Sequence, residues 1–248
     1  MSRPRRVWPV ARPSRTLLPL HLLREQGSWF YLFHALLALL ILYPYLETYA
    51  EDKIPWALNL LNALVIVSVV YSVSFNRGQF VLVLFLAIPS ILCDWMPQSD
   101  PIRLVGIAFT VLLYAYAILM ILPFLLHAEE VETEEIYGAA ALYLLLGLIW
   151  ASLFQAVEIL YPGSFHIESI HNLDRVFNWS DLLFFSFTTI TTLGYGDIVP
   201  VTSQARSLAM IEAFTGVIYL AVIISRSIGL YVAQSLEKKR SAQHQKDH

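Results

Sequence analysis

Six stretches of this chain are apolar over lengths that suffice to cross a lipid bilayer as a helix, and they limit what the chain can fold into. A bilayer core takes roughly 20 apolar residues in α-helical form. The stretches of about this length are residues 28–46, 54–75, 79–96, 104–127, 136–160 and 204–233. Of all 248 residues, 57% are hydrophobic and 14% are charged, against about 25% charged in a soluble domain. The sequence therefore predicts an all-α membrane protein with six transmembrane helices.

A seventh apolar run, Leu182 to Ile190, is too short to cross a bilayer. Lipid tolerates such a segment only where protein surrounds it. The run therefore predicts a re-entrant helix between the fifth and sixth spans, which Ser180 and Asp181 begin as a cap and a favourable first-turn acid. The third span is the weakest of the six predictions, because Pro89 interrupts it and Asp94 lies near its end.

Lysines and arginines set the orientation of the spans, because short cytoplasmic loops carry an excess of both. Arginines cluster before the first span, and residues 238–240 form a basic group after the sixth. An even number of spans places both termini on the same side, which these charges assign to the cytoplasm. We therefore assign residues 1–27 to a cytoplasmic tail, 128–135 to an acidic cytoplasmic linker and 234–248 to a short cytoplasmic tail. The expected location is an inner or plasma membrane.

The stretch TTITTLGYGDIVP begins at the end of the re-entrant segment. An ion that crosses lipid must exchange its water shell for other oxygens, and a ring of backbone carbonyls supplies them. Successive inward carbonyls need dihedral angles that glycine reaches without a steric penalty. Gly194 and Gly196 therefore predict an extended filter in which Leu193, Gly194 and Tyr195 present their carbonyls. Thr192 adds a carbonyl and a hydroxyl at the inner end, and the side chain of Tyr195 points outward.

The motif TTLGYGD closely resembles the selectivity-filter signature of potassium channels, and the resemblance covers residues 136–233, the two-span pore domain. Pro200, Thr202 and Arg206 stand where small bacterial potassium channels have them, and Gly216 stands where that family has a hinge glycine. Leucine replaces the commoner valine inside the motif. The resemblance implies a potassium filter that consists of Thr192, Leu193, Gly194, Tyr195 and Gly196, with K+ at the first four of these residues.

One filter per chain cannot enclose an ion, so four chains are implied by geometry as well as by family. Potassium transporters with related loops carry four pore repeats in one polypeptide, whereas this chain has one. The expected assembly is a four-fold homotetramer in membrane lipid, with K+ as permeant ligand and no cofactor. The net charge of −3 gives no argument for nucleic acid.

Five side chains are candidates for supporting the filter. Phe184 and Phe185 are expected either to form an aromatic cuff around it or to pack against lipid and helices. Thr188 stands where some potassium channels place a glutamate that pairs with the filter aspartate, so Asp197 is expected to lack that partner. Glu212, near the outer end of the sixth span, either braces the filter from behind or lies at the membrane interface.

The sixth span carries a candidate gate. Positions three and four apart share one face of a helix, and from Gly216 this rule aligns apolar side chains that would face the pore axis in a four-fold bundle. They are Val217, Leu220 or Ala221, Ile224 and Ile228. A narrow apolar ring stops ions because it dewets. The alternative is that these side chains pack against the fifth span.

Six spans with the pore between the last two resembles the layout of voltage-gated channels, with residues 28–127 in place of the four-helix sensor. A sensor needs arginines at every third position of its fourth span, each worth about 2.3 kcal/mol per 100 mV. Leu104 to His127 contains no lysine or arginine, and only Arg103 stands at its outer edge. We therefore expect passive K+ conduction without steep voltage gating. The open alternatives are a voltage-gated potassium channel with an atypical sensor and a potassium transporter subunit; no HExxH or G-x-S-x-G motif supports an enzyme.

Few other polar residues lie within the spans. Asn59 and Asn62 are expected to form hydrogen bonds from helix to helix. Arg226, on the inner half of the sixth span, is expected either to meet glutamates of the 129–135 linker and couple it to the gate, or to extend toward lipid headgroups.

Overall fold

The computed structural model of the chain describes residues 28–50, 55–74, 76–127, 133–167 and 177–246. Within these ranges six helices are long and apolar enough to cross a membrane, so the predicted number of spans is confirmed. The elements in chain order are α1 Ser28–Ala50, α2 Pro55–Val73, α3 Arg77–Trp95, α4 Asp100–His127, α5 Thr133–Leu160, β1 Phe165–Ile167, α6 Trp179–Ile190, β2 Ile198–Pro200 and α7 Ser203–Lys246. The predicted tail 1–27 lies outside the described residues.

Two helix ends differ from the predicted boundaries. α5 begins at Thr133, so Glu134 and Glu135, which we assigned to the linker, form its first turn. Carboxylates there interact favourably with the amino-terminal end of the helix dipole. α7 continues beyond residue 233 and remains helical to Lys246, because the residues that follow Gly229 include many good helix formers and no proline. The rest of the predicted linker, residues 128–132, lies outside the described residues.

The first four helices pack in chain order, α1 on α2, α2 on α3 and α3 on α4, and both α1 and α4 pack against α5 of the same chain. One apolar cluster runs through all five helices, with Leu36, Ile66, Leu113 and Leu145 almost completely buried in it. Each of these helices also carries large apolar side chains that the chain leaves exposed. This exposed apolar surface is what a helical assembly in lipid requires.

Polar contacts between helices hold the ends of α2 and α3 together. Asn59 Nδ2 donates to the carbonyl oxygen of Asp94 at 2.9 Å, and Asn62 Nδ2 donates to Asp94 Oδ2 at 3.0 Å. The expected bonding of both asparagines from helix to helix is thereby confirmed. Pro89 lies within α3, which is continuous from Arg77 to Trp95, so the third predicted span is also a single helix.

A second apolar cluster joins α5, α6 and the start of α7. Strands β1 and β2 pair antiparallel beside it, with Phe165 opposite Pro200 and Ile167 opposite Ile198. This two-stranded sheet, whose strands are separated in the chain by α6, connects the segment after α5 to the segment before α7. It therefore brings the chain that leaves the GYG loop back to the end of α5.

Candidate functional site

Helix α6 begins at Trp179, and Asn178 occupies the capping position that we had assigned to Ser180. The backbone N–H of Asn178 donates to Asp181 Oδ2 at 3.1 Å, so Asp181 is the expected first-turn acid while the predicted cap was wrong. Asn178 takes the cap because it lies three residues before this acid, the spacing of a reciprocal capping arrangement. Ser180 instead donates its hydroxyl hydrogen to Glu47 Oε2 of α1. This contact ties the start of α6 to the first helix.

The backbone after α6 turns back on the end of the helix. The carbonyl oxygen of Thr188 accepts the N–H of Leu193 at 2.8 Å and the N–H of Gly194 at 3.0 Å. Gly194 and Gly196 have φ of 55° and 85°, the left-handed region that was expected of them. Thr192 also has a positive φ of 60°, which is uncommon for a residue with a side chain. Sequence reasoning missed it, because nothing in the residue type marks this conformation.

The side chains of the GYG loop face away from the rest of the chain. Leu193 is 57% exposed and Tyr195 is 69% exposed. The ring of Tyr195 stacks on Phe184 of α6, with centroids 6.0 Å apart and planes 3° from parallel. Phe185 points the other way and packs edge-on against Phe154, with centroids 5.0 Å apart. Of the two aromatic side chains expected around the filter, Phe184 contacts a side chain of the GYG loop and Phe185 belongs to the core of the second cluster.

Glu212 is completely buried on α7 and reaches α6. Its Oε1 lies 2.5 Å from Ser186 Oγ, and the same hydroxyl lies 2.8 Å from the carbonyl oxygen of Gly147 on α5. Glu212 Oε2 is buried without a hydrogen-bond partner among the described residues. The carboxyl group is therefore enclosed by protein, and it contacts α6 rather than the GYG loop itself.

The other acidic side chains near the loop have separate environments. Asp197 makes no hydrogen bond or ion pair with another residue in the part of the chain that the structure describes, and its lack of a partner stays a prediction. The hydroxyl of Thr188 donates to Phe185 O at 3.0 Å. Glu158, at the end of α5, accepts the N–H groups of Gly163 and Ser164 at 2.8 and 2.9 Å. Within the described ranges, no three His, Cys, Asp or Glu side chains are grouped to bind a metal ion.

The residues after the loop fix the start of α7. The N–H of Ala205 donates to Thr202 Oγ1 at 3.3 Å, and Thr202 Oγ1 donates to Ser164 Oγ at 3.0 Å. Arg206 Nε donates to the carbonyl oxygen of Pro200 at 3.1 Å. Pro200, Thr202 and Arg206 thus join the start of α7 to the two-stranded sheet beside the GYG loop.

Gly216 is buried where α7 crosses the end of α6. A Cβ at this position would collide with the carbonyl oxygen of Ile190 and would lie 2.7 Å from Ile190 Cγ1. Tyr143 of α5 donates its hydroxyl hydrogen to that same carbonyl at 3.3 Å. The structure thus gives Gly216 a role in close helix packing, which the sequence did not reveal, within a helix that is continuous on both sides.

The candidate gate residues on α7 are exposed in the single chain. Val217, Ile224 and Ile228 are at least half exposed, and Leu220 is 39% exposed. The alternative in which these side chains pack against α5 is therefore wrong for the α5 of the same chain. Large apolar side chains also cover the neighbouring faces of α7, so exposure alone does not select one face.

Arg226 contacts the carboxyl end of α4. Its Nη1 donates to the carbonyl oxygen of Leu126 at 2.6 Å, and Arg226 and Glu135 line the same small cavity. Arg226 thus bonds to the last turn of α4, and its coupling of the acidic linker to a gate stays a prediction. Residues 129–132 of the linker lie outside the described residues.

Comparisons with known proteins place the GYG loop within a known family. Residues 139–232 match the ion channel family. Two-pore potassium channel 4 of Arabidopsis thaliana is 42% identical over 48 residues, which are 19% of this chain and 17% of the plant channel. Potassium channel protein kcv of Paramecium bursaria Chlorella virus 1 is 33% identical over 63 residues, 25% of this chain and 67% of the viral protein. The A-type voltage-gated potassium channel KCND3 of Rattus norvegicus is 30% identical over 102 residues, 40% of this chain and 16% of that channel.

The long apolar helices define a multi-pass membrane protein. The chain belongs to the ion channel family, since it matches the family over the region of α5, α6, the GYG loop and α7 and covers two thirds of the viral potassium channel. It spans less than a fifth of the plant and rat relatives. No solved structure matches the chain significantly.

Proposed function

We propose that this protein is a potassium-selective channel that conducts K+ passively through a pore shared by four copies of the chain. The observation that carries the proposal is the backbone of the GYG loop, in which Gly194 and Gly196 both have positive φ. Alternation of such residues with Leu193 and Tyr195 allows consecutive carbonyl oxygens to face one axis and to replace the water around K+. Residues Thr192 to Gly196 are then the filter, with K+ at Thr192, Leu193, Gly194 and Tyr195.

Helix α6 is the re-entrant pore helix of this proposal. Its 12 residues rise about 18 Å, which is too short to cross a bilayer. The partial negative charge at its carboxyl end, beside Thr191 and Thr192, favours a cation on the pore axis. The names of the plant and viral relatives both specify potassium, which supports K+ as the permeant cation.

Four copies are required because one loop cannot surround an ion. In the single chain, Leu193 and Tyr195 are exposed and α7 is largely uncovered. A homotetramer in lipid gives these apolar surfaces neighbours around a common axis. The chain is expected in an inner or plasma membrane, with both termini cytoplasmic.

Steep voltage gating is not part of the proposal. Arg103 is the only lysine or arginine of α4, and its Nη1 lies 3.9 Å from Asp100 Oδ1 at the start of the helix. Each gating charge that crosses the membrane contributes about 2.3 kcal/mol of electrical free energy per 100 mV, and α4 lacks such charges. Open probability is therefore expected to change shallowly with voltage, whereas the two alternatives, a channel with an atypical sensor and a transporter subunit, require a steep response or coupled transport.

Potassium flux from liposomes tests the proposal. Gly196→Ala should abolish K+ flux in a protein that still assembles, because alanine is strained at a φ of 85°. Gly163→Ala is the matched control, since Gly163 has a φ of 82° with open space around it and lies outside the filter. We expect Gly163→Ala to keep wild-type K+ flux. We also expect the wild type and Gly163→Ala, which both have an intact filter, to exclude Na+.

K+ flux through an assembled Gly196→Ala protein at the wild-type rate would refute the filter assignment. Equal rates for K+ and Na+ through the wild type would refute potassium selectivity while leaving a channel. Recordings from the same preparation, made with voltage varied, separate the passive channel from its voltage-gated alternative.

A further inference from the structure

A cavity of about 630 Å³ lies between the first four helices and the pore helices. Its walls come from α1 to α6, and the contributing residues lie toward the end of the bundle where α5 ends and α6 begins. No filter residue lines it. The cavity is therefore a feature separate from the proposed ion path.

The charged groups of this cavity favour a cation. Glu47 and Asp94 contribute two carboxylates, and Arg103 contributes one guanidinium that lies 3.9 Å from Asp100. Asp94 Oδ2 accepts the side-chain N–H of Asn62, while Asp94 Oδ1 accepts no hydrogen bond from any residue the structure describes. The carboxylate thus keeps one oxygen available to a ligand.

Aromatic side chains supply the rest of the recognition surface. Tyr43 and Trp179 pack with ring centroids 4.4 Å apart, and Trp95 and Tyr114 also line the cavity. Tyr114 is 2% exposed and lines the cavity, and its hydroxyl makes no hydrogen bond to another residue in the described part of the chain. The hydroxyl can therefore donate or accept a hydrogen bond with a polar group in the cavity.

We propose that this cavity binds an organic cation that carries an ammonium group. A cavity of this size fits a small organic molecule and is far larger than a bare metal ion needs. An ammonium group donates hydrogen bonds to a carboxylate and is attracted to aromatic faces. Asp94 Oδ1 accepts the charged group, Tyr114 accepts or donates a further hydrogen bond, and the rings of Tyr43, Trp95 and Trp179 contact the organic part.

The cavity also touches the start of the pore helix. Glu47 accepts the hydroxyl of Ser180, and Tyr43 packs on Trp179, the first residue of α6. A ligand in the cavity therefore contacts the same two side chains of α1 that hold α6 in place. Through these contacts, binding of a ligand to the four-helix region, which lacks a ladder of charges, can affect the position of the pore helix.

Isothermal titration of the full chain in phosphatidylglycerol nanodiscs tests the proposal with phenethylammonium as probe and 2-phenylethanol as its neutral isostere. We expect saturable binding of the amine, at least about tenfold tighter than the alcohol, equal to ~1.4 kcal/mol. Asp94→Asn should weaken the amine at least tenfold while preserving the acceptor for Asn62. Glu134→Gln removes the same charge at the opposite end of α5 and should leave the affinity unchanged.

Two further variants keep the test decisive. Tyr114→Phe removes only the hydroxyl and should weaken binding several-fold, and it replaces Asp94→Asn if that variant does not fold. Gly196→Ala should bind the amine as the wild type does, which separates the cavity from the filter. An ammonium group also occurs on lipid headgroups, so weaker amine binding in nanodiscs that contain phosphatidylethanolamine would assign the site to lipid, and unchanged binding would assign it to a free amine.

Equal binding of the alcohol and the amine would overturn the proposal, because the cavity would then be an apolar crevice. So would the absence of saturable amine binding, or amine binding that Asp94→Asn and Tyr114→Phe leave unchanged. Titration with CaCl₂ and KCl alone gives the last outcome: Asp94-dependent binding of either metal ion without binding of the amine would replace the proposed ligand.

Discussion

Helices α5 and α7 are both apolar and both belong to the proposed pore, but the chain buries them very differently. In the most apolar 18 residues of each helix, 56% of α5 and 11% of α7 are buried. α5 lies between α1, α4, α6 and α7 of its own chain. α7 contacts its own chain along one narrow strip that contains Ala205, Glu212 and Gly216, all of them buried.

From this difference we infer that most of the large apolar side chains of α7 point away from its own chain. The buried strip holds a carboxyl group and two small residues, while Met210, Phe214 and Tyr231 are each more than two thirds exposed. A helix of this kind needs lipid or other copies of the chain to cover it. In our proposal, three further copies cover part of α7 and the remainder faces the pore and lipid.

The largest effect is expected where α7 touches its own chain most closely. In Gly216→Ala the added Cβ meets the backbone of Ile190, which cannot move without displacing the end of α6. We expect K+ flux to fall at least tenfold together with a loss of assembled protein, measured by liposome flux and size-exclusion chromatography.

Gly229→Ala is the matched control on the same helix, because no neighbouring atom of the described chain lies within 4 Å of the added Cβ. It should keep wild-type flux and assembly. Wild-type flux through a Gly216→Ala protein would contradict this expectation, because the contact strip of α7 would then be dispensable for conduction.

The second effect concerns the uncovered side of α7. Replacing Ile224 or Ile228 singly with asparagine should raise basal K+ flux several-fold, because a polar side chain hydrates an apolar constriction. Ile218→Asn introduces the same change at an exposed position outside the candidate gate and should leave basal flux unchanged. If Ile224→Asn and Ile228→Asn assemble normally and conduct no more than the wild type, the constriction lies elsewhere than at these two residues.

The same contrast explains how much the sequence could predict. The number of long helices followed from apolar length, and the positive φ of Gly194 and Gly196 followed from residue type. The packed strip of α7 could not be predicted, because a helix that is apolar on every side gives no periodic signal of its buried face. The neighbours Phe184 and Phe185 show the same limit, since both are apolar and only the packing of α6 decides which one meets Tyr195.

The smallest effect is expected at the buried polar contact of the strip. Ser186→Ala removes the hydroxyl that contacts both Glu212 and Gly147 and should lower stability by about 1–3 kcal/mol, because the carboxyl group stays buried without a partner. The measurement is the midpoint of thermal unfolding in detergent. Ser227→Ala, whose hydroxyl bonds only within α7, should leave the midpoint within error; an equal shift for both variants would show that the Glu212 contact adds nothing.

The most direct test of the proposed pore is the number of chains in the conducting assembly. Native mass spectrometry of the purified protein, on the same sample that passes K+ into liposomes, should give one species of four chains, each of 28.2 kDa. Four copies both complete the proposed filter and cover α7, so we expect this number and no smaller one. A monomer or dimer that retains K+ flux would contradict it.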